Sequence, residues 1–143
     1  MSKLVFLNRL IFILGILGFV IAGYVLQGYL RSSSVYCPAG GGCDLVRKSP
    51  YAWPLGIPVP AVGFMGYSII IILSFLRTIM PKKDKQLLYG LFGMATFGAL
   101  FVTGFTFTQL FLIKATCFWC IVSTIDMYVI FHLVLFSLRK AKP

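Results

Sequence analysis

The chain has 143 residues, 59% of them hydrophobic, with 13 lysines and arginines against three acids and a formal net charge of +10. Only 11% are charged, under half of the roughly 25% usual in soluble domains, and the mean hydropathy is +0.96, which excludes a water-soluble globule. Aromatic residues at 16% exclude disorder, and the bases lie between apolar runs rather than along a stripe, which excludes a nucleic-acid interface.

The class that remains is an all-α integral membrane protein. Leu10 to Leu30 is an uncharged run of 21 residues, close to the about 20 that a helix needs to cross the hydrocarbon of a bilayer. It exceeds the apolar core of a signal peptide and no clean cleavage site follows, so a retained span is expected. A long connection, 31–58, comes next. It holds Cys37-Pro-Ala-Gly-Gly-Gly-Cys43 and then the stretch Ser49 to Pro60, whose four prolines exclude regular helix. A second span is expected over 59–76, then a short turn with Lys82, Lys83 and Lys85. The third span covers 87–111. The fourth covers 117–138, opens with Cys117-Phe-Trp-Cys120, and has Asp126 as its only charge. Gly15, Gly18 and Ala22 in the first span, and Gly90, Gly93, Ala95, Gly98, Ala99 and Gly104 in the third, are expected to allow close helix approach. Residues 1–143 therefore read as one domain, a four-transmembrane-helix bundle with a long outer loop between helices 1 and 2.

Orientation follows from the bases. With both termini cytoplasmic, nine bases lie inside (Lys3, Arg9, Arg77, Lys82, Lys83, Lys85, Arg139, Lys140, Lys142) and four outside (Arg31, Arg47, Lys48, Lys114). That is the bias of the positive-inside rule. The expected location is a cell membrane, with anionic lipid headgroups as a secondary contact of the inner bases.

All four cysteines then fall on the outer side, a disulfide-permissive place. Three glycines between Cys37 and Cys43 let the backbone turn, so the two thiols can meet. Closing so short a loop is worth only about 2–2.5 kcal/mol in the chain-entropy model, which suits a bridge that exchanges. With Thr116 as cap, Cys117 and Cys120 sit in the first turn of the fourth helix, about 60° apart around its axis. The positive dipole end and unpaired N–H groups there favour thiolate, the species that attacks a disulfide sulfur. Cys120 is also about 6 Å deeper than the helix start, within reach of a membrane-dissolved acceptor. Two exchanging pairs are the expectation. Scattered buried thiols and a Cys₄ zinc site are the alternatives; the loop spacing departs from C-x₂₋₄-C, and no metal ligand is assigned.

The segment Cys43-Asp-Leu-Val-Arg-Lys-Ser49-Pro-Tyr-Ala-Trp-Pro-Leu-Gly-Ile-Pro58, a glycine-containing second span and a C-x-x-C opening the fourth together resemble the vitamin K epoxide reductase family, and its prokaryotic branch most closely. The resemblance runs from Leu10 to Leu138. It implies a bundle around a quinone pocket near the outer face, the quinone being of menaquinone, ubiquinone or phylloquinone type. It also implies roles by position: Cys37 faces the partner protein, Cys43 shuttles, Cys117 exchanges with Cys43, and Cys120 lies next to the quinone. Ser49 matches the family's loop serine or threonine, which supports the helix covering the site. The aromatic pair in Cys117-Phe-Trp-Cys120 stands where the prokaryotic branch usually has C-P-x-C, and is expected to alter the thiol surroundings. Many relatives carry a fused thioredoxin-like domain; none is legible here, so a separate thioredoxin-like or DsbA-like protein is the expected partner.

The activity so implied is that of a membrane thiol oxidoreductase. It oxidises its protein partner, passes the electrons through two cysteine pairs to a quinone, and supports disulfide bond formation. The alternatives are a vitamin K epoxide or quinone reductase of an internal membrane, and a non-enzymatic membrane scaffold with structural disulfides. Other polar residues in the spans carry lesser expectations. Ser123, on the Cys120 side of the helix, is a pocket candidate for the quinone. Asp126 is a functional-site candidate because intramembrane carboxyls are costly. His132 is expected to bond between helices or to reach the interface, and Gln27 and Gln109 to solvate the outer ends of their spans or to reach a quinone head.

Overall fold

The computed structural model describes residues 2–31, 48–50, 53, 56–114 and 118–141. Four helices account for nearly all of them: α1 (Ser2–Arg31), α2 (Val59–Ile79), α3 (Asp84–Thr108) and α4 (Phe118–Ala141). Among the described residues there is no strand, and each helix is long and apolar enough to cross a membrane. The fold is an all-α bundle of four membrane-length helices, as the sequence leads one to expect.

The helix limits extend past the apolar runs. α1 begins eight residues before Leu10 because Val5, Phe6 and Leu7 continue the apolar run, and Asn8 finds buried partners on α2. α2 starts at Val59 with Pro60 in its first turn, where a missing N–H removes no helical bond. Ahead of it, the Trp53 N–H donates to the Pro50 carbonyl at 3.3 Å and the Gly56 N–H to the Trp53 carbonyl at 3.1 Å. Gly56 has φ +81°, a conformation that glycine adopts without a Cβ clash. A 3₁₀ turn, Pro81–Lys83, joins α2 to α3. α3 ends in a π-helical turn, Gln109–Ile113, closed by Lys114 in the left-handed region.

The helices form a ring in chain order: α1 packs on α2, α2 on α3, α3 on α4, and α4 back on α1. Neighbours run antiparallel. The start of α1 meets the end of α2 through Asn8 and Ser74, and Thr103 and Thr106 of α3 meet Tyr128 and Thr124 of α4 in reversed order. The core is a column of fully buried side chains: Ile11, Tyr67, Ile70, Leu91, Ile130 and Val134. Large apolar side chains such as Ile13, Ile72, Leu100 and Phe136 point outward, where lipid rather than water is their natural solvent.

Two of the small residues leave room for side chains of neighbouring helices, Gly18 for a ring and Gly98 for the flexible end of a methionine. A Cβ on Gly18 would overlap the Tyr67 ring, and one on Gly98 would come within 2.8 Å of the Met127 side chain. Gly93 and Gly104 face open space, so close helix approach explains only part of the glycine pattern.

The α2–α3 end of the bundle contains an unexpected polar clamp. Arg77, counted from sequence among the bases that set orientation, is 5% exposed. Its Nε donates to Asp84 Oδ1 at 2.8 Å and its Nη2 to Oδ2 at 3.4 Å. Its Nη1 donates to Asn8 Oδ1 at 3.1 Å. Asn8 Nδ2 in turn donates to the Ser74 carbonyl at 3.1 Å and to Thr78 Oγ1 at 3.3 Å. Asp84 also begins α3, where a carboxylate complements the helix dipole. Three helices are thereby tied together by one guanidinium.

Candidate functional site

At the opposite end, a pocket opens between the helices. Helix periodicity builds its wall. On α4, Cys120, Ser123, Thr124 and Met127 follow one another at the three- and four-residue steps that share a helix face, and all four line the pocket. α2 contributes Gly63, Gly66 and Tyr67, α1 contributes Ala22, Val25 and Tyr29, and α3 contributes Met94, Phe101 and Phe105.

The mouth is aromatic. Trp119 also lines the pocket and meets Tyr24 edge-on at 5.5 Å and Phe118 at 5.3 Å between ring centroids. Trp53, from the segment before α2, lies 5.6 Å from the Tyr29 ring. Together with Phe105 and Trp119 it packs on Val25 and Tyr29. The indole of the Phe-Trp pair between the two C-x-x-C thiols is thus part of the pocket itself.

The polar groups in the lining are few. The Tyr67 hydroxyl, on a side chain 1% exposed, donates to the Ser123 carbonyl at 3.1 Å and shares a 3.0 Å hydrogen bond with Ser123 Oγ. Thr124 Oγ1 donates to the Cys120 carbonyl at 2.8 Å and lies 3.2 Å from Thr106 Oγ1. An apolar, aromatic cleft with a few convergent hydroxyls has the composition of a small-molecule site. The residues present are compatible with a flat aromatic ligand: aromatic rings line the pocket, hydroxyls stand in its wall, and the half-buried Cys120 side chain lies in the same wall.

The structure brings together Cys120 and Ser123. Ser49 is half-buried in the segment before α2 and is not among the lining residues. Cys37, Cys43 and Cys117, and the capping position Thr116, lie outside the described residues. Gln27 is exposed, while Gln109 is buried within the π turn, and neither lines the pocket. Of the two expectations for His132, the bond between helices is not the one observed: its Nδ1 bonds the Tyr128 carbonyl of its own helix at 2.8 Å, and the ring is exposed. Among the described residues, no three His, Cys, Asp or Glu side chains gather as a metal site would require. Sequence reasoning passed over Tyr67, because a lone tyrosine in an apolar span has no periodic partner; the glycine at position 18 opposite it was the available signal.

Known proteins resemble this chain in sequence. The profile of the vitamin K epoxide reductase family matches residues 9–135. Thiol-disulfide oxidoreductase LTO1 of Arabidopsis thaliana is 30% identical over 118 residues, an alignment that covers 77% of this chain and 31% of that protein. The chain thus spans about a third of the length of the curated relative it matches.

Proposed function

The chain belongs to the vitamin K epoxide reductase family, and from that premise we propose that it is a membrane thiol oxidoreductase that transfers electrons from protein dithiols to a quinone. The observation that carries this reading is the placement of Cys120 in the wall of an aromatic pocket beside the hydroxyls of Tyr67, Ser123 and Thr124. The similarity to a protein described as a thiol-disulfide oxidoreductase supports it.

In this reading residues 1–143 act as one redox domain. Cys37 meets a thioredoxin-like or DsbA-like partner, and its disulfide with Cys43 is reduced as the partner is oxidised. Cys43 then exchanges with Cys117, and the Cys117–Cys120 pair becomes the dithiol. Re-forming that disulfide releases two electrons and two protons, and a bound quinone supplies the sink for both. Phe101, Phe105 and Trp119 would flank the ring, the hydroxyls would orient its carbonyl oxygens, and the apolar wall would exclude water. Ser49 steadies the segment that carries Trp53 over the mouth. The cysteine end faces the outside of the cell membrane and both termini face the cytoplasm.

Two experiments test this. Purified protein, given a reduced thioredoxin-like donor and a soluble quinone, is expected to consume quinone and donor thiols in the ratio of one to two; no quinone consumption by folded wild-type protein would reject the reading. In a cysteine-free background, Ser33→Cys is expected to react with a membrane-impermeant maleimide from outside, and Lys83→Cys only after permeabilisation. The reverse pattern overturns the orientation.

A further inference from the structure

One buried group has no part in the scheme above. Asp126 lies within α4, is 5% exposed, and has no hydrogen-bond partner for either carboxyl oxygen among the described residues. Among the described residues no cation is paired with it; the buried guanidinium of Arg77 is engaged by Asp84. An apolar side chain would fill the same volume without the penalty of burying a carboxyl. Packing therefore gives no reason for an acid here.

Its neighbours do. Ser123 stands one turn earlier on the same side of α4, and the Tyr67 hydroxyl reaches Ser123 from α2 at 3.0 Å. Asp126 follows Ser123 by three residues, so its carboxyl lies on the side of α4 that carries the Tyr67–Ser123 hydrogen bond. Tyr67 and Ser123 line the pocket with Cys120, whereas Asp126 does not. The arrangement is layered: a carboxyl behind, two hydroxyls in front, and the pocket beyond them.

We propose that Asp126, Ser123 and Tyr67 form a proton relay serving an acceptor oxygen in the pocket, with Asp126 as its reservoir. The relay rests on the quinone reading and adds the route of one proton to it. When the Cys117–Cys120 dithiol closes to a disulfide, two electrons and two protons leave the sulfurs and the acceptor gains two of each. The Tyr67 hydroxyl gives its proton to one acceptor oxygen and regains one from Asp126 through Ser123 Oγ, its hydrogen-bond partner. A thiol proton then returns to the carboxyl through Ser123, which stands one turn from Cys120 on the pocket face. The cluster ends as it began, and the second proton reaches the other oxygen from the open end of the pocket. Asp126 acts through Tyr67, so it is a positioning residue; the hydroxyl alone touches the acceptor.

The test separates binding from proton delivery. Soluble quinone is titrated into purified protein while quenching of Trp119 and Trp53 reports occupancy, and kcat for quinone reduction by dithiothreitol is measured in parallel. Asp126→Asn is expected to lower kcat about 100-fold, the scale of a lost general acid, with quenching affinity unchanged within about twofold. Tyr67→Phe keeps the ring that fills the Gly18 notch and is expected to give a similar loss. The double variant should be no slower than the worse single one, because the two act in one chain. Asp126→Glu should recover a measurable part of the rate. Infrared difference spectra on quinone addition should contain a shifted carboxylic-acid carbonyl band that is missing in Asp126→Asn; Asp44 and Asp84, present in both, cancel. Wild-type kcat in Asp126→Asn, or a loss of quenching affinity equal to the loss of kcat, overturns the relay alone. Wild-type protein that neither binds nor reduces quinone overturns the quinone reading and the relay with it.

Discussion

The two ends of the bundle handle buried polarity in opposite ways. At the Arg77 end, a buried guanidinium is bonded to Asp84 and Asn8, and Asn8 is bonded to two further oxygens. At the Cys120 end, a tyrosine hydroxyl, two α4 hydroxyls and a thiol-bearing side chain face a cavity, and a carboxyl stands unbonded behind them. A hydrogen-bonded network around a buried charge rigidifies the fold, and at the Arg77 end the Ser74 hydroxyl is the buried side-chain atom left without a partner among the described residues. The pocket hydroxyls are bonded to one another and to α4 carbonyls, and a few such groups on an apolar cleft are the composition of a ligand site. The local backbone follows the same division. A compact 3₁₀ turn closes the first end, whereas a π turn and a left-handed lysine stand near the second. π-helical turns recur at functional sites.

This contrast is open to direct attack, and the cysteine end should respond most. Cys120→Ala is expected to reduce dithiothreitol-driven quinone reduction to the uncatalysed background, measured by quinone absorbance, with helicity unchanged. Cys37→Ala should abolish oxidation of a protein partner but spare part of the dithiothreitol activity, since a small dithiol reaches the inner pair directly. In Cys120→Ser a Cys43–Cys117 disulfide should accumulate, detectable by mass spectrometry. A Cys43–Cys120 link in Cys117→Ser instead would reverse the roles given to the two inner thiols.

The Arg77 end should respond in stability rather than in activity. Asp84→Ala leaves a buried guanidinium unpaired. The expected loss is about 2–3 kcal/mol, below the 3–5 of a fully buried pair, because the Asp84 side chain is 38% exposed. Thermal unfolding in detergent checks it, and kcat below the transition should stay at the wild-type value. Replacing both partners, as Arg77→Met with Asp84→Leu, should recover most of that loss.

Gly18→Ala links the two ends of the argument. Its Cβ overlaps the Tyr67 ring, so a cost of about 1–3 kcal/mol is expected, together with weaker quinone quenching as the ring shifts in the pocket wall. Gly93→Ala, facing open space, is the matched control and should not destabilise. The smallest effect is expected from His132→Phe. The ring is exposed and bonded only within its own helix, so the change in stability should stay within about 0.5 kcal/mol.

Much of the architecture was legible in order along the chain. The four apolar runs, three of them uncharged and the fourth with Asp126 alone, led to the four helices because the length of an apolar run and the thickness of a bilayer fix that outcome without reference to any neighbour. Proline content placed the start of α2 close to Val59 for an equally local reason. Cys120 and Ser123 could be put on one face because helix periodicity is a property of the chain alone. What sequence could not supply was which residues from different helices meet. Arg77 reads as an aqueous base until α1, α2 and α3 are packed, and only then do Asn8 and Asp84 surround it. His132 reads equally as a bridge between helices or as a group reaching the interface until the packing turns it outward. Tyr67 joins Ser123 across 56 positions, and Gly18 makes room for its ring from a third helix. Each of these depends on the rotation of one helix against another, which hydrophobic composition leaves almost undetermined in a bundle whose outside is as apolar as its core. The clamp at one end and the pocket wall at the other are therefore products of packing, while the spans that carry them are products of sequence.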